Sequence, residues 1–533
     1  MRVLLINANL RNDILIAPPV GLCYVAAAAE AVGHQVTVLD PCINRPPLRR
    51  LESSIRDASP QVVGVSVRNL DNANLLHPVS YLPGVVDLVR RVRQATGAPI
   101  VVGGSGASLC PEVVLRRTSA DFIVASNGER AFVRLLDSLA DPDRAGEIPG
   151  VGRITADGSF DMVPPEAEPF STPRADVGRW VNAAAYAQRG GGYSIQTKRG
   201  CPHKCIYCTY SQVLEGHVVR LRAPEDVVEE IENALKQYRP AYLEFVDSVF
   251  NEPREHCAAI LERLVRRGCR ARFTAMGIDP CHLDAELLDL MWRAGFRSFQ
   301  MSPESGSETM IRGYGKRLSR ENLERAALAL RGTRFAVLWY FLLGGPGETN
   351  QTLQESLAFV VDHLRPRTRP PYNMAWFMLG VRLYPGTALW QAAVTQGLVA
   401  ADADPTNPLW YCSKDLDLSL AVRQLLNAAA DVDAVLLGLD EHLLASWAVR
   451  TLVSLKLPAA TPYWRHGWKV NRALRVMGLR GHPDPDALVG ALRDRLSQAG
   501  HIRSRRVVAA PPAAATSGRA AATWADAPTG DGQ

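Results

Sequence analysis

Residues 193–210 read YSIQTKRGCPHKCIYCTY. A short strand-like run, 193–197, leads into a loop that holds Cys201, Cys205 and Cys208 in a CxxxCxxC spacing. Thiolates are the preferred ligands of iron–sulfur clusters. Three of them hold three irons of a four-iron cluster and leave the fourth open. An open iron can bind a small molecule, which a fully ligated electron-transfer cluster cannot do. A structural zinc ion is the competing reading, and His203 or His217 would serve as its fourth ligand. Structural zinc sites usually add a second C-x2–4-C or H-x3–5-H pair, and none follows here. The spacing favours a [4Fe-4S] cluster on the three cysteines.

Downstream of this loop, strand-like runs alternate with helical ones. The strands are Tyr242–Val246, Ala271–Met276, Ser298–Ser302, Val337–Leu343 and Ala375–Leu379. Helices fall near Glu225–Tyr238, Glu255–Arg267, Asp284–Ala294, Arg320–Leu330 and Thr352–Leu364. With the run at 193–197 they make six βα-like units. Upstream, residues 1–145 show the same alternation, with strands at Val3–Asn7, Val36–Asp40, Val62–Val67, Ile100–Gly104 and Phe122–Ser126. Strands without clean polar alternation, separated by helices, indicate a parallel sheet covered on both faces. This is a doubly wound, Rossmann-like α/β domain. Ligands bind such sheets beyond the carboxyl ends of the strands. Those ends carry Ser66, Arg68 and Asn69, then Gly103, Gly104 and Ser105, then Gly128 and Glu129. Each loop alone is also ordinary turn chemistry; several on one rim point to a ligand site. No GxGxxG follows the first strand, so the dinucleotide fingerprint is missing.

The CxxxCxxC loop, with Tyr207 before its last cysteine, resembles the signature of the radical SAM superfamily. That resemblance implies a partial (β/α)6 TIM barrel over 189–400. Its sites would lie at the carboxyl ends of the strands. It also implies S-adenosylmethionine bound at the open iron and cleaved by one electron to a 5′-deoxyadenosyl radical. The implied S-adenosylmethionine contacts are Tyr207, Asp247, Glu304, Ser305, Lys316 and Gly345. Of these, Asp247 would take the ammonium. Glu304 and Ser305 stand in an ESGS-like turn and would take the ribose or methionine moiety. Lys316 would pair with the carboxylate, and Gly345 sits in a GGPGET turn near the adenine. Tyr384–Thr387 matches the family's YPGT.

The N-terminal part resembles the cobalamin-binding domain found upstream of many radical SAM enzymes. Pro18-Pro19-Val20-Gly21-Leu22 matches PPxGL, Gly103-Gly104 follows a central strand, and Ser126-Asn127-Gly128-Glu129 partly matches GEGE. Pro19 and Gly21 thus join the rim residues as cobalamin candidates. DxHxxG, whose histidine ligates cobalt in other families, is absent. Arg68 either sits under the corrin, where a cation disfavours an axial ligand, or is a surface or phosphate-contacting arginine. The combined resemblance is to cobalamin-dependent radical SAM methyltransferases. It implies methyl transfer from S-adenosylmethionine, through methylcobalamin, to an unactivated carbon of a small molecule. Natural-product biosynthesis is the setting it suggests, and a flavodoxin- or ferredoxin-like electron donor is implied. A radical SAM oxidoreductase or cyclase without methyl transfer is the alternative.

The chain has 533 residues, and Lys+Arg 60 against Asp+Glu 54 gives a net charge of only +6. No Lys/Arg-dense run suggests nucleic acid. No apolar run reaches the ~20 residues of a bilayer span, and MRVLLINANL does not read as a secretory leader. A cytoplasmic protein is expected. Residues 146–188 read as a linker, 401–505 as a small helical domain with helices at Leu416–Ala430, Asp433–Ser446, Ala448–Leu457 and from Asp484, and 506–533 as a disordered tail. The oligomeric state has no signature in the sequence.

Overall fold

The computed structural model describes residues 1–10, 16–43, 48–139, 141–166, 170, 174–364, 372–437, 462–477 and 484–501. Seven strands form the N-terminal sheet: β1 (Arg2–Asn7), β2 (Gln35–Leu39), β3 (Val62–Ser66), β4 (Ile100–Gly103), β5 (Phe122–Val124), β6 (Val151–Ile154) and β7 (Phe160–Met162). Their order is β2-β1-β3-β4-β5-β6-β7. The first five are parallel, and β6 and β7 add antiparallel. Strand pleating divides the apolar residues between two faces. Leu4, Ile6, Val63, Val65 and Val102 enter one core; Val3, Leu5, Val62 and Val101 enter the other.

The span expected to be a linker therefore begins as part of this sheet. Asp157-Gly158 makes the turn between β6 and β7. Gly158 is at φ 85° and the Asp157 carboxylate accepts from Ser159 N at 3.1 Å. An Asp-Gly pair between two short strands is a hairpin signal, and it went unread.

The central strands are β8 (Tyr193–Ile195), a two-stranded ribbon of β9 (Lys198–Arg199) and β10 (Arg220–Leu221), then β11 (Leu243–Phe245), β12 (Phe273–Ala275), β13 (Ser298–Glu304), β14 (Ala336–Leu343) and β15 (Tyr372–Leu379). Strands β8, β11 and β12 form one parallel sheet and β13, β14 and β15 another. A single parallel bridge, Phe273 to Phe296, links the two into an open barrel wall. Each connection holds a helix. Ser319 and Thr349 start the helices Arg320–Leu330 and Asn350–Phe359 with reciprocal capping boxes. Gly295 ends Ala285–Ala294 in the left-handed conformation. Between strands and helices, Phe245, Phe250, Phe273 and Phe296 form one ring cluster, with Phe245 and Phe250 centroids 4.3 Å apart.

Beyond the barrel, β16 (Val381–Arg382) pairs with β17 (Trp410–Tyr411), and β18 (Val435–Leu437) pairs in parallel with β15. The expected helical C-terminal part thus also holds two short strands. Val435–Leu437 is a barrel-edge strand where a helix was expected. The remainder of that segment and Ala448–Leu457 lie outside the described residues, as does the tail. The helices Leu418–Asp431 and Pro485–His501 stand where the pattern placed them. No helix among the described residues is long and apolar enough to cross a membrane.

Candidate active site

The cysteine loop is shaped by its first residue. Gly200 is at φ 82°, and a Cβ there would lie 2.0 Å from the Val218 carbonyl oxygen. Only glycine fits. Gly200 N donates to the Glu215 carboxylate at 2.7 Å, and Cys208 N donates to Cys205 O at 3.1 Å. All three thiols are free; Cys201 and Cys205 are buried and Cys208 half-buried. Burial pushes the Cys205 thiol up to about 11, against the pull of Lys316. Three free thiols on one loop, beside a lysine, fit a [4Fe-4S] cluster with one open iron. Both histidines that zinc would draw on have other neighbours. His203 Nε2 lies 2.6 Å from Glu252 and 3.3 Å from Asp279, and His217 Nδ1 faces the Cys201 carbonyl at 3.3 Å.

Of the residues expected around S-adenosylmethionine, three converge. Glu304 ends β13 at φ 66°, a strained backbone for a side-chain-bearing residue. Its carboxylate takes the Tyr207 hydroxyl at 2.7 Å and Lys316 Nζ at 3.1 Å. The same lysine donates to Ser302 O at 2.7 Å. The other three are held differently. Asp247 accepts from Thr197 N, Thr197 Oγ1 and Lys198 N at 2.7, 2.8 and 3.2 Å. Most of its accepting capacity thus goes to the strand entering the cysteine loop. Ser305 is turned to Ser356, with the two hydroxyls 2.9 Å apart. A Cβ on Gly345 would lie 2.4 Å from the Tyr314 ring. Packing against Tyr314 thus calls for a glycine here.

On the N-terminal domain, a cavity of about 250 Å³ opens between the ends of β1 and β3 and is lined by Asn9, Arg68, Asn69, Tyr81 and Gly84, among others. This is the switch point of a 2-1-3-4-5 sheet, where ligands are expected. Gly103 and Gly104 lie close against neighbouring backbone. A Cβ on Gly104 would meet the Val67 carbonyl oxygen at 2.7 Å and one on Gly103 the Val124 carbonyl oxygen at 3.1 Å. Their absence of side chains lets these rim loops approach one another closely. Ser66 lies beside Gly104, and Ser105 donates to the Arg68 carbonyl at 2.7 Å. Asn69 is exposed at the cavity. Pro19 and Gly21 open the helix Val20–Ala31, Pro19 buried and Gly21 exposed with nothing against it. Gly128 packs on Val25 and Val124 at ordinary distances. Glu129 is 3% exposed and ion-paired with Arg199 of β9, so it joins the domains.

Two family models match the chain: the B12 binding domain over residues 6–136 and the radical SAM superfamily over residues 195–360. Their boundaries bracket the rim and the cysteine barrel. The chain belongs to the radical SAM enzymes that carry a B12-binding domain. The cofactors of such an enzyme are cobalamin, a [4Fe-4S] cluster and S-adenosylmethionine. The enzyme is similar to tryptophan 2-C-methyltransferase of Streptomyces laurentii, 26% identical over 74% of this chain and 74% of that protein. It is also similar to an anaerobic magnesium-protoporphyrin IX monomethyl ester cyclase of Rubrivivax gelatinosus, 23% identical over 68% of this chain and 66% of that protein. Its fold matches the radical S-adenosylmethionine methyltransferase TsrM from Kitasatospora setae, solved with tryptophan and a SAM analog. The TM-score is 0.76 at 24% identity, over 90% of this chain and 100% of that one.

The enzyme also has site residues that sequence reasoning missed. Lys198 is 2% exposed and donates to the carbonyls of Phe250 and Glu252 at 2.8 and 2.6 Å, tying the cysteine strand to the next loop. Glu244 of β11 is buried, and burial pushes its carboxyl up to about 7, with Arg68 across the domain boundary opposing the rise. Its position between two apolar strand residues gave a signal, a lone acid in LEF, that went unread.

Proposed function

We propose that this enzyme transfers a methyl group from S-adenosylmethionine to a carbon of a small molecule. The observation that carries the reading is the buried ion pair between Glu129 of the B12-binding domain and Arg199, two residues before the first cysteine of the cluster loop. It ties the two cofactor-binding parts of the chain together, as transfer between them requires. Bound together, the cofactors supply a methyl carrier and a one-electron route to an unactivated C–H bond. The protein's part is positioning and exclusion of water. Cys201, Cys205 and Cys208 hold the cluster. Tyr207 and Lys316 fix the Glu304 carboxylate beside it, and that carboxylate is placed to meet S-adenosylmethionine. Arg68 sets a positive charge at the cobalamin face. An external flavodoxin- or ferredoxin-like donor supplies the electron.

The test is product analysis with methyl-labelled S-adenosylmethionine and reductant. S-adenosylhomocysteine together with a labelled product supports methyl transfer. Turnover that yields 5′-deoxyadenosine and no S-adenosylhomocysteine overturns it in favour of the cyclase or oxidoreductase reading, toward which the cyclase relative points.

A further inference from the structure

The two ends of the barrel carry opposite charge. The segments that enter β11, β12, β13 and β14, at 238–242, 267–272, 295–297 and 331–335, hold seven arginines and no Asp or Glu. The segments that leave the same strands, at 246–253, 276–284, 305–307 and 344–349, hold five acids and no Lys or Arg. Parallel strands gather the entering segments at one end of the barrel, the floor, and the leaving segments with the cysteine loop at the other. Backbone bonds set the entering segments side by side: Arg297 N donates to Phe273 O at 3.0 Å, and Ala336 N to Arg297 O at 3.1 Å. Arg267 is paired with Glu225 and Glu232, and the Arg297 guanidinium donates to the Trp292 and Phe296 carbonyls. Among the described residues, Arg270, Arg272, Arg331 and Arg334 are exposed and pair with no carboxylate.

A helix lies across this floor. The turn Tyr463–His466 packs on β14, with Trp464 in the main apolar core, and leads into the helix Gly467–Val476. The far end is held by Arg475, which pairs with Asp433 at 2.8 Å. Asp433 comes just before β18, which runs parallel to β15, so it too stands at the floor. Residues 462–477 hold four Lys and Arg and no acid. Arg472 is exposed, and Val476 and Met477 are 79% and 57% exposed. Leu328, 60% exposed, stands in the last helical turn before Arg331. Exposed acids border the face at Asp362 and Asp431. Cations beside exposed aliphatic side chains match an anionic bilayer, which takes the apolar groups into its interface and the charges at its headgroups. Nucleic acid also attracts cations, but single strands stack on aromatic side chains. Among the described residues, no exposed large apolar side chain is aromatic.

We propose that the barrel floor, Arg270, Arg272, Arg331 and Arg334 together with the helix Gly467–Val476, docks on an anionic lipid bilayer. The proposal is independent of the reaction catalysed. Docked in this way, the enzyme turns the carboxyl ends of its strands, with the cysteine loop and Glu304, away from the lipid.

The experiment is anaerobic sedimentation of the enzyme, loaded with cobalamin and cluster, with sucrose-filled vesicles at about 0.15 M salt. Vesicles of phosphatidylglycerol and phosphatidylcholine in equal parts are expected to bind it at least about tenfold more tightly than phosphatidylcholine alone. Arg272→Gln with Arg334→Gln and Arg472→Gln is expected to weaken that binding at least about tenfold. The same three positions changed to Lys keep the charge and should stay within about threefold of the parent. Val476→Ser with Met477→Ser is expected to weaken vesicle binding at least about threefold. Unchanged cluster absorption and cobalamin content in the variants exclude misfolding. Equal binding to both vesicles, no binding at millimolar lipid, or vesicle binding that survives either loss variant overturns the proposal. Capture of polyuridylate in place of vesicles overturns it in favour of a nucleic acid.

Discussion

Arg199, two residues before the first cluster cysteine, is ion-paired with Glu129 of the B12-binding domain, and their side chains are only 8% and 4% exposed. The guanidinium also lies 4.2 Å from the Phe170 ring centroid and 5.1 Å from that of Tyr24. The strand that delivers the cluster loop is thereby fixed to the domain that holds the other cofactor. Removing one partner of such a pair leaves an uncompensated buried charge, at a cost of about 3–5 kcal/mol. Glu129→Ala is expected to lower the urea midpoint accordingly. The double change Glu129→Leu with Arg199→Met should recover most of the loss. Equal midpoints for Glu129→Ala and the parent would refute the coupling.

Each of Cys201→Ala, Cys205→Ala and Cys208→Ala is expected to lose cluster absorption and cleavage of S-adenosylmethionine. Full cleavage activity in any one of them would remove that cysteine from the ligand set.

Gly345→Ala separates packing from ligand contact. The added methyl meets the Tyr314 ring, so overpacking of about 1–3 kcal/mol is expected. Tyr314→Leu in the same chain should relieve it. A changed affinity for S-adenosylmethionine at unchanged thermal midpoint would return Gly345 to the ligand.

Glu348 is fully buried at the turn after β14, and burial pushes its carboxyl up to about 7. A raised acid favours the protonated folded state. Its penalty is absent below the unfolded value of 4.5 and grows until pH reaches about 7. Glu348→Gln should therefore stabilise the protein more at pH 8 than at pH 5, by at most about 3 kcal/mol. Parallel pH–stability curves for the two proteins would refute it.

With Arg68 at the cobalamin face, as proposed, Arg68→His puts an imidazole there. The loaded variant, with its cobalamin in the Co(II) state, is expected to show nitrogen superhyperfine splitting in its electron paramagnetic resonance spectrum. An unchanged spectrum would set Arg68 away from cobalt.

The parts legible in sequence are those encoded locally. CxxxCxxC, the PPxGL helix start and the strand-end glycines all lie within a few residues of the chemistry they signal. Strands Val62–Ser66 and Ile100–Gly103 announced themselves as β-branched runs. What was missed depends on partners far along the chain. Ser305 looks free until Ser356 is placed against it. Glu129 reads as a rim residue until Arg199 arrives from the other domain. Val435–Leu437 is too short to outweigh its helical surroundings, and only the open edge of β15 makes it a strand.

That edge strand has a consequence for synthesis. β15 ends at Leu379 and its partner begins at Val435, so the nascent barrel exposes unpaired backbone while the stretch between is made. At ~5–20 residues per second the gap lasts roughly 3–11 s. An uncovered strand edge invites pairing with other chains. Newly made enzyme is thus open to edge pairing until Val435–Leu437 emerges from the ribosome.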